Sequence, residues 1–338
     1  MKQLLFDLCR IGGVSGSEEP IAKFCAEKLS AFADTTIDKN GNVIATLGNA
    51  DKTILLDAHL DRIGFMVTSI NENGFVKVAS CGGIDVRVLS DAVLVSCSDE
   101  PVKGVVCCMP PHLSDGGEDK AAPIDKVWID FGLPYEKVAE KIKIGDVLTF
   151  YGEPKELMNN RITAPALDDR CGIAALIRCA ELIGKKELSY KVVILLSVQE
   201  ETYGTGAKTG AYRINADEAI AVDVSFASQP DVSGQYAGIE LAKGPMICIS
   251  PILSKAMSDK LISVAKENNI PFQYEPISGT TGTNADHISV TKSGVASAVV
   301  SIPQRYMHTP IEVIDISDVE NTAALLAEYI IGGGAFND

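Results

Sequence analysis

Two textures of apolar and polar positions alternate along this chain. Continuous apolar runs bounded by polar turns recur at Thr53 to Ala58 (TILLDA), Lys191 to Val198 (KVVILLSV), Glu218 to Val224 and Val295 to Ser301. A strand that is apolar on both faces belongs in a sheet covered on both sides. Helical stretches lie between these runs: Lys2 to Arg10, a second helix opening near Ser17 and Pro20, one near Asp169 to Ile183, one within Pro251 to Asn268, and a closing one over Ser317 to Ile331. Asp34 to Leu47 reads as a hairpin turning at Asn40-Gly41. Strands alternating with helices predict an α/β fold with a mainly parallel central sheet and helices on both faces.

From Ile63 to Met158 the texture changes. Short segments rich in Val, Phe and Ile alternate with Gly, Asn, Asp and Pro: Gly64 to Ser69, Phe75 to Ala79, Ala92 to Ser96, Val102 to Cys108, Val127 to Asp130 and Val147 to Phe150. This spacing predicts a small β-rich insertion domain at 63–158, with one helix near Tyr135 to Glu140. It would split the α/β domain into two pieces, 1–62 and 159–338. Pro110 to Pro123 (PPHLSDGGEDKAAP) reads as a mobile polar loop. No internal repeat is visible.

Composition narrows the function classes. The 338 residues are 46% hydrophobic with a formal net charge of −15, a folded rather than disordered profile. No Lys/Arg cluster is present to neutralise a phosphate backbone, so nucleic acid is not the expected partner. The apolar runs are far shorter than a membrane span requires, and Met1 to Gly12 lacks the apolar run of a secretory leader. The nine cysteines are odd in number and form no CxxC pair, which suits reduced thiols in the cytoplasm better than a disulfide framework or a structural zinc site.

Candidate chemistry gathers at the strand ends, where open α/β sheets collect ligands. The first apolar strand ends in Ala58-His59-Leu60-Asp61, KVVILLSV in Gln199-Glu200-Glu201, and Ala219 to Val222 in Asp223. The last runs into Pro303-Gln304-Arg305-Tyr306-Met307-His308-Thr309-Pro310, and Ala166-Leu167-Asp168-Asp169-Arg170 opens a helix. Each has a plain structural reading: a lone Asp caps a helix or a loop, a Glu-Glu pair is a solvated face, a lone His is packed, and Asp168-Asp169 caps the helix it precedes. Convergence changes the weighting. Several acids driven to one place repel each other unless a multivalent cation holds them. Imidazole with carboxylate suits zinc, cobalt or manganese rather than calcium. A set larger than one zinc ion needs suits two ions bridged by a carboxylate.

Taken together, six segments carry a resemblance: AHLDRIGFMV (Ala58 to Val67), ALDDRCG (Ala166 to Gly172), VQEETYGTGA (Val198 to Ala207), AVDV (Ala221 to Val224), TGTNAD (Thr281 to Asp286) and SIPQRYMHTPIEV (Ser301 to Val313). The chain resembles the tetrahedral-aminopeptidase and glutamyl-aminopeptidase family of di-zinc metallopeptidases, some members of which carry a cellulase M label. The resemblance implies a metallo-aminopeptidase acting on short peptides with two divalent ions per subunit. It implies His59 and Asp223 on one metal, Glu201 and His308 on the other, Asp168 bridging both, Glu200 as general base and Asp61 orienting His59. It also implies self-association through the β insertion, usually into a dodecamer. Leu60 and Arg62 stand where relatives often have Met and Glu. AVDVSFASQPD lacks a His that many carry after Asp-Val, and Asn284 replaces a frequent Asp. These departures bear on the substrate pocket and on none of the implied ligands.

Rival readings are a related metal-dependent deacylase or carboxypeptidase, and a catalytically inactive assembly protein. A cellulase is disfavoured: with Trp128 as its one tryptophan, the chain lacks a sugar-stacking platform. There is no phosphate-cradling loop after Glu201 and no serine nucleophile elbow. His112 reads as a loop or interface residue and His287 as a helix-start residue. Arg305 and Tyr306 read equally as packing and as pocket lining. The sequence leaves the preferred amino-terminal residue and the physiological metal open.

Overall fold

In the computed structural model, residues 1–108, 121–184, 186–230, 234–236 and 238–335 are described. Along the strand Thr53–His59, side chains point alternately to opposite faces. Ile54, Leu56 and Ala58 turn to one face, where they join Ile194, Leu196, Ile220, Val222, Ala298 and Val300 in the main core. Leu55 turns to the other face and meets Val193, Leu195 and Ala219. Asp57 and His59 share the parity of Leu55, so the polar residues of this strand belong to the second face.

The sheet has eight strands, ordered Asp34–Ile37, Val43–Leu47, Lys191–Ser197, Thr53–His59, Glu218–Phe226, Ala296–Gln304, Met246–Ile249 and Gln273–Pro276. The four strands from Lys191–Ser197 to Ala296–Gln304 are parallel. Outside them the sheet is mixed. The hairpin adds antiparallel onto Lys191–Ser197, and Met246–Ile249 runs antiparallel to Ala296–Gln304. The sequence reading found the hairpin but not its place in this sheet, and it missed Met246–Ile249 and Gln273–Pro276. Both are only four residues long, and Gln273–Pro276 is a half-exposed edge, so neither carries the long continuous apolar run of the central strands.

Helices Lys2–Arg10, Glu19–Leu29, Leu167–Ile183, Lys255–Glu267 and Ile316–Ile331 bury apolar stripes against the main core face. Thr205–Ile214 and Ala285–Ile288 cover the other face with Ala207, Ala211 and Ile288. Pro20 lies in the first turn of its helix, but Ser17 does not cap it; Glu18 stands at that position and sends its carboxylate to the Gln199 N–H instead.

Six strands, Gly64–Ile70, Val76–Cys81, Trp128–Asp130, Lys103–Val106, Val93–Ser96 and Val147–Phe150, close into a barrel. Phe65, Val67, Val78, Leu94, Ile129 and Leu148 form its separate core. Phe65 and Phe150 meet edge to face at 5.4 Å between ring centroids. The helix Tyr135–Lys141 adds Val138. Most of the Pro110 to Pro123 loop, with His112, lies outside the described residues. All nine cysteines are free thiols. Among the described residues, no helix is long and apolar enough to cross a membrane.

Candidate active site

Parallel pairing sets the carboxyl ends of the central strands side by side. His59 pairs with Ser197, and Asp223 with Ser301. The cluster forms at this edge. His59 Nε2 lies 3.0 Å from Asp168 Oδ1 and 3.9 Å from Asp223 Oδ1. His308 Nε2 lies 3.2 Å from Asp168 Oδ2 and 3.4 Å from Glu201 Oε2. The five side chains thus make two groups, His59/Asp168/Asp223 and Asp168/Glu201/His308, with donor atoms within 4.8 Å of one another in each. Asp168 belongs to both.

Both imidazoles are held in the same manner. His59 Nδ1 lies 3.1 Å from the Asp61 carbonyl oxygen, and His308 Nδ1 lies 3.0 Å from the Gly83 carbonyl oxygen. An Nδ1–H donated to a carbonyl leaves Nε2 bare and facing the carboxylates, which is how metal-binding histidines are usually supported. Gly83 follows the barrel strand Val76–Cys81, so the barrel supplies one wall of the site. A side chain there would intrude: a Cβ on Gly83 would lie 2.9 Å from His308 Nδ1.

Asp61 has a second part beside its place at the His59 imidazole. Its carboxylate is 3.5 Å from His59 Nδ1, while it accepts the N–H of Glu200 at 2.9 Å, the N–H of Glu201 at 3.1 Å and the Ser15 hydroxyl at 2.5 Å. It therefore fixes the loop that carries both glutamates. The capping reading of Asp168-Asp169 holds for one of the two: Asp169 accepts the Gly172 N–H and, on its other oxygen, the His59 N–H, while Asp168 turns into the cluster. Ala166 and Gln199 beside the cluster, and His308 within it, adopt positive φ of 67°, 59° and 61°. Non-glycine residues tolerate this only where the surroundings enforce it.

Glu312 received no role from the sequence, yet it ties two site segments together. It accepts the Asp168 N–H at 3.2 Å and the His308 N–H at 3.0 Å, one on each oxygen. Its signal was faint: it is one of two acids that end the four-residue strand Glu312–Asp315, buried throughout. Asn284 is buried too, donating to Asp57 at 2.7 Å and to the Ser197 hydroxyl at 2.8 Å. His287 sits in the short helix Ala285–Ile288, outside the cluster.

The electrostatics are those of crowded acids. Burial drives the carboxyls of Glu201 and Asp223 well above their usual range, with the negative charge of Asp168 adding to it. Burial also raises Glu200 and lifts Glu312 to about 8. Burial opposes ionisation of Asp168 as well, but hydrogen bonds from His308 and His59 outweigh it and hold this group below the usual range. Burial likewise opposes protonation of the histidines. The carboxylates around them prevail, so His59 is raised strongly and His308 to about 9. Among the described residues no Lys or Arg forms an ion pair with Asp168, Glu201 or Asp223. The donor set fits two divalent cations sharing a carboxylate, and such ions would supply the missing positive charge.

Comparison with known proteins identifies the family. The family model described as M42 glutamyl aminopeptidase matches residues 41–325. A lysyl aminopeptidase of Pyrococcus furiosus is 35% identical over 330 residues, covering 96% of this chain and 94% of that protein. The solved structure of an aminopeptidase from the archaeon Desulfurococcus kamchatkensis superposes with a TM-score of 0.92 at 33% identity, covering 98% of this chain and 94% of that one. The Pyrococcus horikoshii TET1 peptidase, described as assembling into a tetrahedron or a large octahedral shell, gives a TM-score of 0.88 at 30% identity, covering 97% and 98%. On this likeness the chain belongs to the M42 peptidase family and is a peptide-bond hydrolase of the aminopeptidase type.

Proposed function

We propose that this protein removes amino-terminal residues from short peptides at a two-metal centre. His59 and Asp223 would hold one ion, Glu201 and His308 the other, and Asp168 both. The observation that carries the reading is the pair of three-residue groups that share Asp168. Zinc fits the donors best, and cobalt or manganese are compatible. Such ions, when bound, supply Lewis-acid polarisation of the scissile carbonyl and acidify a water nucleophile.

The protein's own residues do the rest. Glu200 is the general base, taking the proton from the attacking water and returning it to the leaving amine. Burial keeps its basicity above that of an exposed glutamate. Its backbone N–H is anchored on Asp61, so the side chain starts from a fixed loop. Glu312 positions Asp168 and His308 together through their backbone N–H groups. Free thiols throughout support a reducing, cytoplasmic setting.

The reading extends to assembly. The segment 63–158, with its own barrel core, is the oligomerisation domain inserted between 1–62 and 159–338, and the assembly is a homo-oligomer, as a dodecamer. The tetrahedral assembly described for the Pyrococcus horikoshii TET1 peptidase supports this. The decisive test is Glu200→Gln on metal-loaded protein, with metal content and aminoacyl-anilide hydrolysis measured together. Metal content near wild type with turnover lower by about 100-fold or more is expected. Loss of metal would make Glu200 a ligand, and unchanged turnover would remove it as the base.

A further inference from the structure

A cavity of about 1180 Å³ opens between the amino-terminal helices, the hairpin and the barrel, and none of the clustered metal-site side chains lines it. Two features of its lining are unresolved by the fold itself. Arg62 is only 3% exposed, yet its Nε has no hydrogen-bond partner and no carboxylate forms an ion pair with it among the described residues. Thr149, 4% exposed on the barrel strand Val147–Phe150, has an Oγ1 with no partner either. The neighbouring Arg170 is buried too and its Nε is likewise unpartnered, but its two terminal nitrogens donate to the Leu60 carbonyl at 2.6 Å and the Ile11 carbonyl at 3.4 Å. A guanidinium stays charged at any physiological pH, and burying one without an acceptor is costly. Glu312 and Glu201 attract Arg62 only from beyond ion-pairing distance.

We propose that this cavity is a second ligand site, taking a small monocarboxylate whose oxygens accept from Arg62 and Thr149. Guanidinium with a hydroxyl is a donor-only pair suited to a carboxylate. The lining carries both signs: Arg10, Lys39 and Lys103 stand with Arg62 against five acids, and Arg10 pairs with Glu153 at 3.0 Å. A lining so nearly balanced accepts the single charge of a monocarboxylate more readily than the two that phosphate can carry. The site is also close to the reaction centre's supports. Arg62 follows Asp61, which holds the Glu200 and Glu201 N–H groups, and Glu18 in the same lining accepts the Gln199 N–H.

Cys97 lines the cavity and is half-buried, so it reports occupancy without reference to peptide hydrolysis. The rate of Cys97 alkylation by iodoacetamide is measured by mass spectrometry on the full-length, metal-loaded protein. Cys107, exposed and outside the lining, is the internal control. The probes are N-acetylglycine, glycinamide as the carboxylate-free control, and inorganic phosphate. N-acetylglycine is expected to slow Cys97 and leave Cys107 unchanged. Thr149→Val is expected to weaken that protection about tenfold, and Arg62→Gln to weaken it further. Should Arg62→Gln fail to fold, the isosteric Thr149→Val still decides. Equal protection by glycinamide, protection by phosphate alone, no protection by N-acetylglycine, or undiminished protection in Thr149→Val would each overturn the assignment.

Discussion

Asp61→Asn is the substitution that most directly tests how this site is held. Asp61 is fully buried, and its carboxylate accepts from Glu200 N–H, Glu201 N–H and the Ser15 hydroxyl. Burial alone would raise its pKa; hydrogen bonds from His59 and Ser15 and the His59 charge reverse this and keep it ionised. Asparagine fills the same volume but keeps one acceptor oxygen and gains an NH2 donor. Whichever way the amide turns, one backbone N–H of the Glu200-Glu201 loop faces a donor. Losing one hydrogen bond to a charged acceptor costs about 1.5–3 kcal/mol, or roughly 10–100-fold in an equilibrium or rate constant. Residues that support metal ligands from behind carry effects of about the same size, 10–100-fold. The assay pairs zinc affinity, from competition with a chromophoric chelator, with kcat/KM on an aminoacyl-anilide. Ser15→Ala is the comparator, since it leaves both N–H groups their acceptor and should cost under about tenfold. If Asp61→Asn kept both zinc affinity and kcat/KM within about threefold of wild type, the anchoring role assigned to this carboxylate would be wrong.

Gly244→Ala tests a backbone constraint far from the chemistry. Gly244 has φ of +87°, a Cβ there would lie 1.9 Å from the Pro271 carbonyl oxygen, and its N–H is held by Asp318; a loss above about 2 kcal/mol is expected in denaturant unfolding, and a shift under ~0.5 kcal/mol would contradict it. Metal removal should bring a pH signature. In metal-free protein His308 titrates near 9, above its ordinary 6.5, so its protonated partnership with Asp168 stabilises the fold fully below 6.5 and is lost as pH rises through 9. Stability of the chelated protein should therefore fall across that window, while zinc affinity rises with pH because binding must displace the proton. Zinc affinity that is flat from pH 6.5 to 9 would refute this reading of His308.

The central strands were legible because continuous apolar runs survive in one dimension. The TILLDA and KVVILLSV runs became adjacent parallel strands with the expected ends, and the short Val/Phe/Ile segments became the barrel strands. The five clustered donors were legible for a related reason, since strand ends that terminate in acids are visible as sequence. Glu312 was not, because a buried acid that opens a strand looks like any other polar position there until its two oxygens find the Asp168 and His308 N–H groups.

By itself the sequence determined which residues have two buried faces, where strands stop, and which acids and histidines wait at those stops. These are local properties, written in the two-residue period of a strand and the composition of its ends. Strand order, edge direction, the turn of the Asp61 carboxylate toward the glutamate loop, and the stranding of Arg62 in a cavity were decided only in three dimensions. Each depends on pairing between segments distant in the chain, and apolar periodicity says which face is buried without saying against what.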